Sequence, residues 1–162
     1  AKRFVEIGVD CGYTGDDYGT QRGLLIPPYL WRELIKPRLA RIWSVYRDSG
    51  LPVIHHSCGD VREILPDMVE IGLSILNPVQ PDAMPINELK ERFGSKLSFY
   101  GGISTQKTLP FGTPDEVRLE VRKCMKVLGE GGGYIVAPSH DMTSDIPIEN
   151  FMAMLEEIRS QC

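Results

Sequence analysis

No apolar run among the 162 residues comes near the roughly 20 residues of a membrane-spanning helix, and no leader of basic then apolar residues opens the chain. A membrane partner is therefore not expected. Positive charge is not in excess either. Eighteen Lys and Arg stand against 22 Asp and Glu, a net charge of −4, so nucleic acid is not an expected partner. Cysteine is sparse, and Cys11, Cys58, Cys124 and Cys162 show no close pairing, which fits reduced thiols and a cytoplasmic location. Neither a Gly-x-Gly-x-x-Gly nor a Walker pattern is present, which leaves a nucleotide site unsupported. There is no initiator Met, and residues 1–8 read as the end of a helix stopped by Gly8. The expectation is one domain over residues 1–162, the C-terminal part of a longer chain. What is present is 42% apolar residues, enough for a core.

The apolar pattern predicts five strands, each followed by a helix. Strands are expected at 9–14, 51–54, 73–76, 97–100 and 134–137. Pro27-Pro28 opens a helix to about Ser49, with Leu30, Leu34, Leu39, Ile42, Trp43 and Tyr46 at near-helical spacing and a kink at Pro37. A second helix is expected from Val61 to Ile71, capped by Asp60 and Glu63 and interrupted by Pro66. A third runs from Ile86 to Phe93 and is closed by Gly94. Thr113-Pro114-Asp115-Glu116 starts a fourth, with Val117, Val121, Met125 and Leu128 as its buried stripe and Cys124 beside it. The last covers about 147–160 and packs through Phe151, Met154, Leu155 and Ile158. This alternation is that of α/β proteins built from parallel βα units. Five units are too few to close a barrel, so the choice lies between part of a (β/α)8 TIM-type barrel and an open doubly wound sheet.

Polar groups gather where these strands stop, the end at which βα proteins bind ligands. The densest cluster is His55-His56-Ser57-Cys58-Gly59. Side chains alternate along a strand, so His56 and Cys58 can project to one side and His55 to the other. An imidazole and a thiolate two residues apart make half of a tetrahedral zinc site, although a buried cysteine is as often a small apolar residue. The first strand leads into Gly15-Asp16-Asp17-Tyr18-Gly19-Thr20-Gln21-Arg22-Gly23, long and polar as functional loops are, or an ordinary solvated turn. Asn77 and Gln80 follow the third strand and are placed to bond a ligand or cap a turn. Gly101-Gly102 and Gln106 follow the fourth, where two glycines permit close approach of backbone to a ligand. His140 follows the fifth.

Taken together these segments resemble the uroporphyrinogen decarboxylase superfamily, which also holds zinc-dependent corrinoid and coenzyme M methyltransferases. The resemblance spans essentially the whole chain. It is carried by Gly15-Asp16-Asp17-Tyr18-Gly19-Thr20-Gln21, His56-Ser57-Cys58-Gly59, Asn77-Pro78-Val79-Gln80-Pro81, Phe99-Tyr100-Gly101-Gly102-Ile103, Ala137-Pro138-Ser139-His140 and Pro147-Ile148-Glu149-Asn150. It implies the last five strands of a (β/α)8 barrel. In the methyltransferase branch zinc is held by a His-x-Cys pair and a Cys after the last strand, where this chain has His140. The implied metal ligands are thus His56, Cys58 and His140, with Asp17 as a fourth ligand or base. Asp17 and His140 are the implied catalytic residues, and Asp16, Gln21, Asn77, Gln80 and Gln106 would contact a small-molecule substrate. A methylcorrinoid would come from a partner protein. The alternative implied by the same family is a metal-free uroporphyrinogen decarboxylase. A polyanionic tetrapyrrole wants cationic partners, and the strand-end loops offer only Arg22 and Lys107. An inactive structural half-barrel is the third reading. Five barrel strands leave open edges, so a homo-oligomer is expected.

Overall fold

A computed structural model describes residues 1–161. The elements in chain order are α1 (Lys2–Glu6), β1 (Gly12–Gly15), β2 (Gly19–Thr20), β3 (Gly23–Leu24) and α2 (Pro28–Leu30). A π-turn (Trp31–Ile35), α3 (Lys36–Arg47), β4 (Val53–His56), α4 (Leu65–Glu70) and β5 (Ile75–Val79) follow. The chain then forms α5 (Ile86–Phe93), β6 (Ser98–Ile103), α6 (Thr108–Phe111), α7 (Pro114–Leu128), β7 (Tyr134–Pro138) and α8 (Ile148–Ser160). By compactness it divides into two units, Ala1–Asn77 and the residues from Pro78 onward.

The five expected strands are β1, β4, β5, β6 and β7, and they lie in one sheet in that order. Pairing is parallel between β1 and β4, β4 and β5, and β6 and β7. Each strand joins the one before it in sequence, with no reversal of order. A doubly wound sheet has such a reversal, at its switch point. Sequential parallel βα units are the architecture of a barrel wall, so the expected fold class stands and the doubly wound alternative falls.

In the first unit, α3 buries Leu39, Trp43 and Tyr46. Leu34 and Ile42, expected on the same face, are exposed. For Leu34 the cause is the π-turn, which ends just before Pro37 and rotates the preceding residues off the helical register, whereas Ile42 lies in α3 itself at the edge of the buried stripe. Proline 66 does not interrupt a helix. It sits in the first turn of α4, where its missing N–H costs nothing, so the helix begins at Leu65. The expected Asp60–Glu63 cap is accordingly absent. Asp60 instead accepts from Arg62, through its backbone N–H, Nε and Nη2, at 3.1, 2.9 and 2.7 Å. Arg32 and Lys36 tie the π-turn and α3 to Asp67 of α4 at 3.0 and 2.8 Å.

In the second unit, α5 forms as its sequence predicts, and α7 buries Val117, Val121 and Leu128 as expected but with Cys124 in the stripe and Met125 half-buried. Thr113 and Glu116 make a reciprocal capping box at the start of α7. The buried face of α8 is Asn150, Ala153, Met154 and Glu157, one position off the predicted stripe. A carboxylate is tolerated there because Arg122 donates two hydrogen bonds to Glu157, each 2.8 Å. Strand β6 runs through Gly101 and Gly102, past its predicted end. A Cβ on Gly101 would meet the Val79 backbone at 2.9 Å, and one on Gly102 the Tyr134 hydroxyl at 2.8 Å. What a Cβ on either glycine would meet is neighbouring protein.

Candidate functional site

The site of the first unit is built where β4 ends. Register pairs Gly15 with His56 across β1 and β4, and His56 with Asn77 across β4 and β5. Strand β5 extends beyond its expected limit, so Asn77 lies within the sheet rather than in a loop after it. The loop after β1 folds back as the antiparallel hairpin β2–β3. That hairpin rests directly on the turn after His56. The Asp60 N–H donates to the Thr20 carbonyl at 2.8 Å. A Cβ on Gly59 (φ +79°) would sit 2.4 Å from the Gly19 carbonyl carbon, and one on Gly19 2.7 Å from the Cys58 carbonyl oxygen. The glycines of the two motifs are there so that these backbones can touch.

This packing places the polar side chains. Cys58 Sγ lies 3.5 Å from His56 Nε2. The Cys58 N–H donates to Asp17 Oδ1 at 2.8 Å, and the same oxygen is 3.9 Å from His56 Nε2. His56 Nδ1 lies 2.8 Å from Asn77 Oδ1, which also accepts from the Tyr13 hydroxyl at 3.3 Å. The buried Ser57 hydroxyl accepts the Tyr18 N–H at 3.0 Å. Burial, followed by the charge of Asp17 and its hydrogen bond, pushes the Cys58 thiol up to about 11, so it keeps its proton near neutral pH.

His55 faces the other way, as alternation requires. It is buried, stacked on Tyr18 and edge-on to Trp43, with Nδ1 2.9 Å from the Thr14 hydroxyl. Burial, with a smaller contribution from His56, lowers its pKa to about 4, against the opposing charge of Asp17. It is a neutral core residue at neutral pH.

The other candidates are scattered. Asp16 is exposed and accepts from the Tyr18 hydroxyl at 3.4 Å, while Gln21 is exposed in the β2–β3 turn. In the second unit Gln80 is buried just past β5. Gln106 is exposed, and its N–H donates to Ser104 Oγ at 3.3 Å. His140 is exposed after β7, and its Nδ1 accepts the Asp141 N–H at 2.8 Å. Lys107 is paired with Asp82 at 2.8 Å. Tyr13 and Ser57 were not legible as site residues. Tyr13 shares the face of Gly15, whose register partner is His56, but that register is not written in the local sequence.

Fold and strand-end cluster together define a protein of parallel βα units that carries an imidazole–thiol–carboxylate group at one strand terminus. The chain belongs to the uroporphyrinogen decarboxylase (URO-D) family, whose sequence model matches residues 1–161. It is 28% identical over 155 residues to a methylcobamide:CoM methyltransferase MtaA of Methanosarcina barkeri, covering 96% of this chain and 43% of that protein. It is 26% identical over 129 residues to a methylated-thiol–coenzyme M methyltransferase of Methanosarcina mazei, covering 80% and 32%. It is 27% identical over 135 residues to a uroporphyrinogen decarboxylase of Thermus thermophilus, covering 83% and 38%. The chain thus spans less than half the length of these curated relatives. A solved methyltransferase from Methanosarcina mazei shares the fold with a TM-score of 0.76 at 24% identity, over 99% of this chain and 44% of that one. No helix among the described residues is long and apolar enough to cross a membrane.

Proposed function

We propose that this chain carries the metal-binding face of a methyltransferase-type member of its family, moving a methyl group from a methylated corrinoid to a thiol or similar acceptor. The observation that carries the reading is the 3.5 Å approach of Cys58 Sγ to His56 Nε2 at a strand end, beside the Asp17 carboxylate. The donor chemistry supports it. His56 and Cys58 offer nitrogen and sulfur, the ligand set zinc prefers, and His140 would add a second nitrogen. A bound zinc ion would supply the positive charge that brings an acceptor thiol to its reactive anion at neutral pH.

The roles of the chain's own residues follow from their surroundings. His56 offers Nε2 and Cys58 its sulfur as ligands, with His140 as the third. Asp17 keeps one carboxylate oxygen on the Cys58 N–H, and its side chain is 57% exposed, so it can take the proton of an incoming thiol. The acceptor sulfur, relieved of that proton, would form a bond to the methyl carbon as the methyl–corrinoid bond breaks, the electron pair of that bond staying on the corrinoid of the partner. Asp16, Gln21, Gln80 and Gln106 are assigned to substrate contact, and Asn77 reaches the site through His56.

The decarboxylases among the relatives support a second reading, loss of carboxylate from a tetrapyrrole acetate. Of the two cations expected to serve it, Lys107 is already engaged by Asp82. The test combines elemental analysis with a transfer assay, in which the absorbance of methylcobalamin is followed as a thiol is added. Zinc on the protein and thiol-dependent demethylation of the corrinoid are expected. A zinc-loaded protein inert towards methylcobalamin, in this chain and in a full-length relative carrying the same pair, would overturn the reading.

A further inference from the structure

We infer that Asn77, seconded by Tyr13, is a positioning residue that holds His56 in the tautomer with hydrogen on Nδ1 and a lone pair on Nε2. The inference rests on the reading of His56 as a metal ligand and says which atom it offers and why. A neutral imidazole has one donor nitrogen and one acceptor nitrogen. His56 Nδ1 lies 2.8 Å from Asn77 Oδ1, an atom that can only accept, so Nδ1 carries the hydrogen. The Tyr13 hydroxyl donates to the same oxygen at 3.3 Å. With the amide oxygen facing His56, that oxygen is met by two donors.

The backbone makes this arrangement rigid. His56 and Asn77 are register partners on adjacent parallel strands, and the Ser57 N–H donates to the Asn77 carbonyl at 2.8 Å. Asn77 is 7% exposed, so water competes little for its oxygen. The consequence falls on Nε2. Its lone pair points into the space shared with Cys58 Sγ, at 3.5 Å, and Asp17 Oδ1, at 3.9 Å. A hydrogen bond on the far nitrogen of a ligating histidine orients the ring and raises its basicity, and removing such a partner costs about 10- to 100-fold in metal affinity.

His140 is held the opposite way. Its Nδ1 accepts the Asp141 N–H, so the neutral ring carries its hydrogen on Nε2. It offers a lone pair at Nε2 only after the proton moves to Nδ1 and that contact is given up. The two histidines are thus unequal, and His56 is the one prepared in advance.

The experiment uses the full chain, free of metal and labelled with 15N-histidine, at about pH 8, where an ordinary imidazole is neutral. Long-range 1H–15N spectra report which nitrogen of His56 is protonated, and chelator competition then measures affinity for Zn2+ alone. Wild type is expected to show His56 protonated on Nδ1. Asn77→Asp, which can only accept at this position, should keep that pattern. Asn77→Leu should shift His56 towards the other tautomer and weaken zinc by about 10- to 100-fold, and Tyr13→Phe should weaken it by a smaller factor. Wild type with hydrogen on Nε2, converted to Nδ1 by Asn77→Asp, would show the amide presenting nitrogen and would overturn the inference. So would an Asn77→Leu protein with unchanged spectra and unchanged affinity. If Asn77→Leu does not fold, wild type and Asn77→Asp still decide. Spectra as expected with no zinc bound by any form would leave the tautomer established and remove the metal reading instead.

Discussion

Cys58 approaches His56 side chain to side chain, sulfur to Nε2 at 3.5 Å, although only Ser57 separates them in sequence. Two residues apart on a strand would place them on one face but farther apart. The chain leaves the strand after His56, so Cys58 is not held at strand spacing from it. Cys58→Ser should therefore lose most of the bound zinc, because a hydroxyl is a far poorer ligand than a thiolate. The thermal midpoint measured with zinc present should fall as well, since an ion that binds only the folded state adds to its stability. Equal zinc content in wild type and variant would remove Cys58 from the ligand set.

His140→Ala should cost less zinc affinity than Cys58→Ser. The His140 ring must first exchange its proton and release the Asp141 N–H, so part of its binding energy is spent on rearrangement. Competition with a chelator across the two variants gives the order directly. A larger loss for His140→Ala would mean that the His56–Cys58 pair is not the core of the site.

Much of the fold was legible because the signals were local. The capping box at Thr113 and Glu116 and the helix from Ile86 to Phe93 follow from residues within a few positions of one another. The strand-end location of His56, Cys58 and His140 was legible for the same reason. Pairing across the sheet was not. Asn77 reads as a loop amide because Pro78 follows it, yet β5 continues through that proline. Residues 15–23 read as a functional loop or an ordinary solvated turn, whereas Gly19 meets Gly59, 40 residues on, backbone against backbone. The off-register face of α8 depends on Arg122, which no spacing rule within that helix could reveal.

Gly59→Ala tests the contact between hairpin and turn. The substitution brings a Cβ to 2.4 Å from the Gly19 backbone at φ +79°. Backbone strain and overpacking each cost on the order of 1 to 3 kcal/mol, so a loss of roughly 3 kcal/mol is expected. Gly8→Ala is the control, because its φ of +83° carries strain but nothing lies within 4 Å of the added Cβ. Urea unfolding should rank Gly59→Ala as the more damaging. Equal losses would show that the turn can move away from the hairpin.

Stability should fall on acidification through a small set of carboxylates. Hydrogen bonds from Arg122 hold Glu157 below its usual value of 4.5, with Gln161 and Ser160 adding to them. Burial would raise Asp67, but Lys36 and Arg32 outweigh it and hold it below 3.8. A carboxyl with a depressed folded pKa stabilises the fold above its unfolded pKa, and that contribution disappears as pH falls through the folded value. The wild-type urea midpoint should therefore drop below about pH 4.5, and Glu157→Gln should be less stable than wild type at pH 7. The gap between the two should narrow as the pH falls below the usual carboxylate range, through the depressed pKa of Glu157. A gap unchanged with pH would assign the role of Glu157 to packing rather than charge.

The edges of the sheet lead to a prediction about assembly. Barrel strands are covered on both faces, and such strands are buried along their length. Strand β6 approaches this, with Phe99, Gly101, Gly102 and Ile103 buried, whereas no residue of β7 is fully buried and Ile135 is 45% exposed. Tyr13 of β1 is 56% exposed. Both terminal strands of the sheet order thus present apolar side chains and backbone groups that another strand could cover. The chain is expected to self-associate, most simply as a two-fold pair, and to remain associated in high salt because the buried surface is apolar. Sedimentation across a dilution series reads the outcome. A persistent monomer of 18.2 kDa at high concentration would mean that β1 and β7 tolerate water as they stand.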